Sequence, residues 1–183
     1  MFSESEKKYL LSVARNSIER AVSGKTREII DNAPALLRRP HGAFVTLHIE
    51  GQLRGCIGYM DAVGSLLETV QEAAEKAALQ DYRFSPVTTE EVAKLEIEIS
   101  VLSPLKLVHD INEIQIGRHG LMIHHGYNRG LLLPQVATEQ GWNRETFLNQ
   151  TARKAGIPIT AWKDPEAKIF CFTAEIFREK YNK

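Results

Sequence analysis

Cysteine is scarce in this sequence: Cys56 and Cys171 are the only two in 183 residues, too far apart to form a disulfide framework. They read as reduced thiols, and the protein is expected to be cytoplasmic. A surplus of one charge is missing too, since 23 Lys plus Arg balance 23 Asp plus Glu. With no net field to steer a polyanion, a dedicated nucleic-acid binder is disfavoured. No apolar run approaches the ~20 residues that cross a bilayer, so no membrane role is expected. The charged start Ser3-Glu4-Ser5-Glu6-Lys7-Lys8 leads into no apolar signal segment. Signature loops are also lacking. There is no Walker pattern, no strand-following G-x-G-x-x-G, no G-x-S-x-G, no Cys-x-x-Cys and no His-Glu-x-x-His. Nucleotide-phosphate, serine-hydrolase and standard zinc chemistry therefore lack sequence support, and neither a cofactor nor a metal is expected. His124 and His125 would point to opposite faces of a strand, so one ion cannot easily take both.

What the sequence does hold is pattern. Ser3 and Glu6 make a capping box for a helix over about 3–23, with Leu10, Ala14, Ile18 and Val22 on one face. Pro34 and Pro40 mark residues 31–41 as irregular. Val45, Leu47 and Ile49 then alternate with Thr46, His48 and Glu50, and Leu53 to Gly58 returns as a second strand. Ser65 opens a helix with a stripe of Leu66, Val70, Ala73, Ala74 and Ala77. Thr89-Glu90-Glu91 makes a short helical turn, and Leu95, Ile97, Ile99 and Val101 mark a third strand. The same order recurs downstream. His119-Gly120 matches His41-Gly42, Gly126 to Gly130 matches Gly51 to Gly55, Lys154-Ala155 matches Lys76-Ala77, and Lys168 to Phe172 matches the third strand. The expectation is a single α+β domain, residues 1–183, built from two strand–strand–helix–strand repeats at about 41–103 and 119–177. Its six strands would form one mixed, curved sheet with helices packed on it.

Parity sharpens the first hairpin. Val45, Leu47, Ile49, Leu53 and Ile57 are all odd-numbered, so a shared face requires a loop of odd length. A three-residue loop, Glu50-Gly51-Gln52, sets His48 opposite Arg54 and Thr46 opposite Cys56. His48, Arg54 and Cys56 then cluster on the polar face, where a cation would lower the thiol pKa. Gly55 and Gly58 remove bulk around the sulfur. The competing reading makes Cys56 a packed thiol, with Arg54 paired to Glu96 or Glu98. The Asp81-Tyr82-Arg83-Phe84-Ser85-Pro86 loop is open to two readings, a binding loop or a turn locked by an Arg–Asp pair. Cys171, between Phe170 and Phe172, belongs to the core.

Leu53-Arg54-Gly55-Cys56-Ile57-Gly58, Asp81-x-Arg83-Phe84-x-Pro86-Val87, Glu98 to Ser103 and Leu132-Leu133-Pro134-Gln135-Val136-Ala137 together resemble the AMMECR domain family. This family is also called AmmeMemoRadiSam system protein A. Phe147-Leu148, Lys154-Ala155-Gly156 and Trp162 extend the resemblance over nearly the whole chain. It implies a barrel-like sheet of duplicated repeats and possible Memo-like and radical-SAM protein partners. It also implies a functional role for the Leu53–Gly58 segment, with no established reaction. On that basis Cys56, with Arg54 to lower its pKa or bind an anion and His48 as base, is the candidate thiol centre. Gly55, Gly58, Asp81 and Arg83 are the candidate substrate contacts. The rival expectation is a non-catalytic binding or regulatory module, facing a protein or, less readily, RNA.

Overall fold

The structure, a computed structural model, describes residues 1–30 and 32–179. Asp31, in the irregular segment, and residues 180–183, at the end of the expected domain, lie outside the described residues. The chain divides into two compact units, with Ser103–Ala174 set between two parts of the first.

The first unit opens with α1 (Glu4–Val22), where the Ser3–Glu6 capping box is formed. The hairpin β1 (Ala43–Ile49) and β2 (Gln52–Tyr59) follows. Next come α2 (Leu66–Leu79), capped by Ser65, the short α3 (Thr89–Val92) and β3 (Glu96–Leu102). The second unit holds β4 (Lys106–Leu107), β5 (Gly120–His125), β6 (Asn128–Leu132), α4 (Pro134–Glu139), α5 (Arg144–Lys154) and β7 (Lys168–Phe172). A last strand, β8 (Ala174–Arg178), rejoins the first sheet.

The α+β class holds, but the expected single mixed sheet does not. Among the described residues there are two four-stranded sheets, ordered β2-β1-β3-β8 and β4-β7-β5-β6, and neither closes into a barrel. The reason is local pairing. In each unit the third main strand returns antiparallel to the first strand of its own hairpin, β3 on β1 and β7 on β5. Both sides of β1 and β5 are thereby used within their own unit. The strands β4 and β8 were not legible, because β4 has only two residues and both pair with strands distant in sequence. Pro134, just after β6, starts α4, where its fixed φ suits the first helical position.

The odd-numbered face of the first sheet carries Val45, Leu47, Ile97 and Ile99, all buried beneath α1 and α2. In the second unit Leu121, Ile123, Ile169 and Cys171 form a core with Phe147 and Leu148 of α5. The small stripe of α2 permits close approach. A Cβ on Gly55 would strike the Ala77 carbonyl, and one on Gly130 would strike the backbone of Ala155. These are the glycines and alanines matched between the repeats in the sequence.

The hairpin turn departs from expectation. Glu50 and Gly51 both have positive φ, 51° and 75°, which makes a two-residue type I′ turn. His48 therefore faces Leu53 and Ile49 faces Gln52. A bulge between Leu47 and His48 leaves Arg54 as the extra residue and restores the expected pairing of Thr46 with Cys56. Parity was satisfied by a bulge and not by a longer loop.

Gly55→Ala should lower unfolding stability in urea by about 1–3 kcal/mol, because helix backbone has to move. At Gly51, where the added atom meets open space, substitution by Asn should cost well under ~1 kcal/mol, since Asn tolerates positive φ. Equal losses at the two sites would contradict the close approach of α2.

Candidate functional site

β2 is a terminal strand, so some of its backbone groups lack a strand partner. At Cys56 both outward groups are taken by one loop. The Cys56 amide donates to Asp81 Oδ2 at 2.9 Å, and its carbonyl accepts from Arg83 Nη2 at 3.4 Å. Arg83 closes the clamp on Asp81, with Nε to Oδ1 at 2.9 Å and Nη2 to Oδ2 at 2.6 Å. Its own amide donates to Oδ1 at 3.2 Å. Asp81 is buried, at 4% exposure, and every bond it makes requires the carboxylate. The Arg83 guanidinium accordingly holds its carboxyl well below the usual range; burial opposes this, and the amides of Cys56 and Arg83 reinforce it.

Arg54 makes a second clamp three residues wide. Displaced by the bulge, it meets Glu91 through Nε–Oε1 and Nη2–Oε2, each 2.9 Å. Its Nη1 also donates to the Ser85 carbonyl at 3.0 Å, and Nη2 to that of Pro86 at 3.3 Å. The Glu91 carboxyl is held down at about 2, chiefly by Arg54 and then by the Thr88 amide. Glu91, not Glu96 or Glu98, is thus the partner of Arg54. It was missed as a site residue, although Thr88-x-x-Glu91 is a readable capping box.

Because Cys56 turns its backbone outward, it forms with Thr46 a non-hydrogen-bonded pair, whose side chains lie close. The Thr46 hydroxyl donates to Cys56 Sγ at 3.3 Å. Burial pushes the thiol above its ordinary value, against the pull of Thr46 and Arg83, and with Asp81 and Glu98 adding to the rise. This corrects the expected lowered pKa. Arg54, engaged by Glu91, is not among the groups that shift the thiol. His48 lies one row away, beside Glu96 of β3, and lines a small polar pocket with Glu98 and Arg178. Gly58 clears space for the Phe44 ring, and Gly55 for α2, so neither glycine is explained by room around the sulfur. Tyr82, at the loop tip, is 96% exposed. In the second unit Cys171 is buried in the core, and His125 Nε2 lies 3.4 Å from Asp164. Among the described residues no group of three metal-binding side chains comes together, and no helix is long and apolar enough to cross a membrane.

Two antiparallel sheets with a glycine-seated helix on each, and a loop locked to the outer strand of one, define an α+β protein of specific architecture. Comparison assigns it further: the AMMECR1 family model matches residues 11–177, and the chain belongs to that family. A protein of Methanothermobacter thermautotrophicus is 42% identical over 184 residues, covering 97% of this chain and 96% of the relative. Protein TK0174 of Thermococcus kodakarensis is 44% identical, covering 94% and 90%. The crystal structure of the uncharacterized protein PH0010 from Pyrococcus horikoshii superposes with a TM-score of 0.93 at 39% identity, covering 98% of this chain and 94% of that one.

Asp81→Asn should cost about 2–4 kcal/mol, because it leaves Arg83 without its carboxylate and weakens the bond to the Cys56 amide. The folded pKa of Asp81 is depressed, so its contribution is full above the unfolded value of about 3.8 and fades as pH falls below it. Urea unfolding of both proteins across the acid range should therefore show the gap closing in acid. A gap that stays unchanged as pH falls from the unfolded value through the depressed folded one would mean that the charge of Asp81 is not what stabilises the loop.

Proposed function

We propose that this AMMECR1-family chain is a partner-binding accessory protein, which presents the 81–86 loop and the adjoining part of β2 to another protein. One observation carries this reading. The Asp81 carboxylate, the Arg54 guanidinium and Nε and Nη2 of Arg83 are engaged in fixing the loop to the strand, while the Tyr82 side chain at its tip is left almost fully exposed. An arginine locked in this way positions a surface and is poorly placed to turn over substrate. Family resemblance makes Memo-like and radical-SAM proteins the first partners to test, with a cytoplasmic setting in keeping with two unpaired thiols. The matched contacts of Gly55 with Ala77 and Gly130 with Ala155 support descent of the two units from one duplicated ancestor.

A second reading, a thiol-dependent enzyme, is favoured by a different observation. Cys56 is only half-buried and stands beside the Thr46 hydroxyl and the Arg83 guanidinium. Alkylation against pH separates the two. With Cys171 as the buried control, the accessory reading expects Cys56 to react with an apparent pKa above the ~8.5 of a free thiol. Tyr82→Ala should then weaken partner capture by about tenfold or more, the loss expected for an exposed aromatic anchor, and Cys56→Ser should leave capture intact. An apparent pKa well below that of a free thiol, with pathway output lost in Cys56→Ser, would favour the enzyme instead.

A further inference from the structure

The first sheet has two terminal strands, and they are treated differently. β2 carries a bulge and two arginine clamps, devices that block pairing with a foreign strand. β8 has neither. The Glu179 amide donates to the Ile97 carbonyl of β3 at 3.0 Å. Successive residues of a strand turn their backbone groups to opposite sides. The amides and carbonyls of Ile176 and Arg178 therefore face away from β3. Along this edge lies a groove of about 870 Å³ between α1 and β8. Leu11 and Phe177 give it an apolar floor beside the exposed Ile176. Its rim is cationic, with Lys7, Lys8, Arg15 and Arg178 set against Glu4 and Glu179. Arg15 is bound to Glu179, and Lys7 to Glu4 and Glu175. Lys8 and Arg178 form no ion pair with another described residue, although Arg178 also borders the polar pocket of Glu96 and Glu98, and the four cations of the groove outnumber its two carboxylates.

We infer that this groove takes an extended acidic segment of a partner protein, added beside β8 as a fifth strand. The segment spans about five residues, ~17 Å, to match β8. Its apolar side chains alternate onto Leu11 and Phe177, its intervening carboxylates meet Arg178 on the opposite face, and Lys8 on α1 adds to the attracting field. A second copy of this chain fits less well, because its own β8 would carry another Arg178 into a cationic site. The site is separate from Cys56 and does not depend on the role given to the 81–86 loop.

A short labelled peptide of alternating valine and glutamate, titrated into the full chain and followed by fluorescence anisotropy, tests the inference. Saturable binding is expected, with none for the valine–lysine counterpart. Charge reversal by Lys8→Glu with Arg178→Glu should weaken binding by about tenfold, the sum of two surface charges, and high salt should act in the same direction. Ile176→Pro removes an outward amide that the sheet does not use, a change edge strands accept. It should abolish binding with little effect on thermal unfolding; if it does not fold, the charge-reversed variant decides. Absence of saturable binding, equal binding of the two peptides, or unchanged affinity in the charge-reversed variant would each overturn the proposal. So would a dimer in sedimentation equilibrium that Ile176→Pro dissociates, since that result gives the groove to a second copy.

Discussion

The bond from the Cys56 amide to the Asp81 carboxylate is the contact on which the rest of the site depends. A buried carboxylate is costly unless it is paired and hydrogen-bonded. Asp81 meets that condition only while Arg83 and two backbone amides surround it. If the loop moves off β2, Asp81 loses the Cys56 amide, Arg83 releases the Cys56 carbonyl, and β2 regains a bare edge. The clamp also fixes the local field at the sulfur. Arg83 pulls the thiol pKa down and Asp81 pushes it up, so two opposite charges partly cancel there and burial decides the direction. An activating arginine beside a cysteine is thus a statement about that arginine's other partner as much as about distance.

Much of this was legible in the sequence, and the failures share a cause. Helix starts at Ser3 and Ser65 were readable because capping boxes are local chemistry. The pairing of Thr46 with Cys56 followed from alternation of apolar residues, which burial enforces. The bulge was not readable, since an odd loop and a bulge satisfy the same parity. That ambiguity moved Arg54 out of register and set His48 opposite Leu53. The partner of Arg54 was misjudged for the same reason. Glu96 and Glu98 are nearest in a flat sheet, whereas a bulged side chain reaches the 85–91 segment instead. The readings that failed were those needing knowledge of where a distant segment docks.

The two units offer an internal comparison of what one local change can do. Gly51 to Gly55 and Gly126 to Gly130 place Arg-Gly at the same offset, and in both units the glycine admits a helix end. The turns differ by one residue. In the second hairpin Gly126-Tyr127 forms the turn, so Arg129 stays in regular register opposite His124. In the first, the turn falls at Glu50-Gly51, one residue earlier relative to the shared glycine, and the surplus residue is expelled as the bulge at Arg54. The same Arg-Gly pair therefore yields an in-register cross-strand residue in one unit and the anchor of a docked loop in the other. The bulge, not the motif, makes the site. A sequence comparison that aligned only the Arg-Gly pairs would assign both arginines the same place in their hairpins, and the register shows that they differ in it.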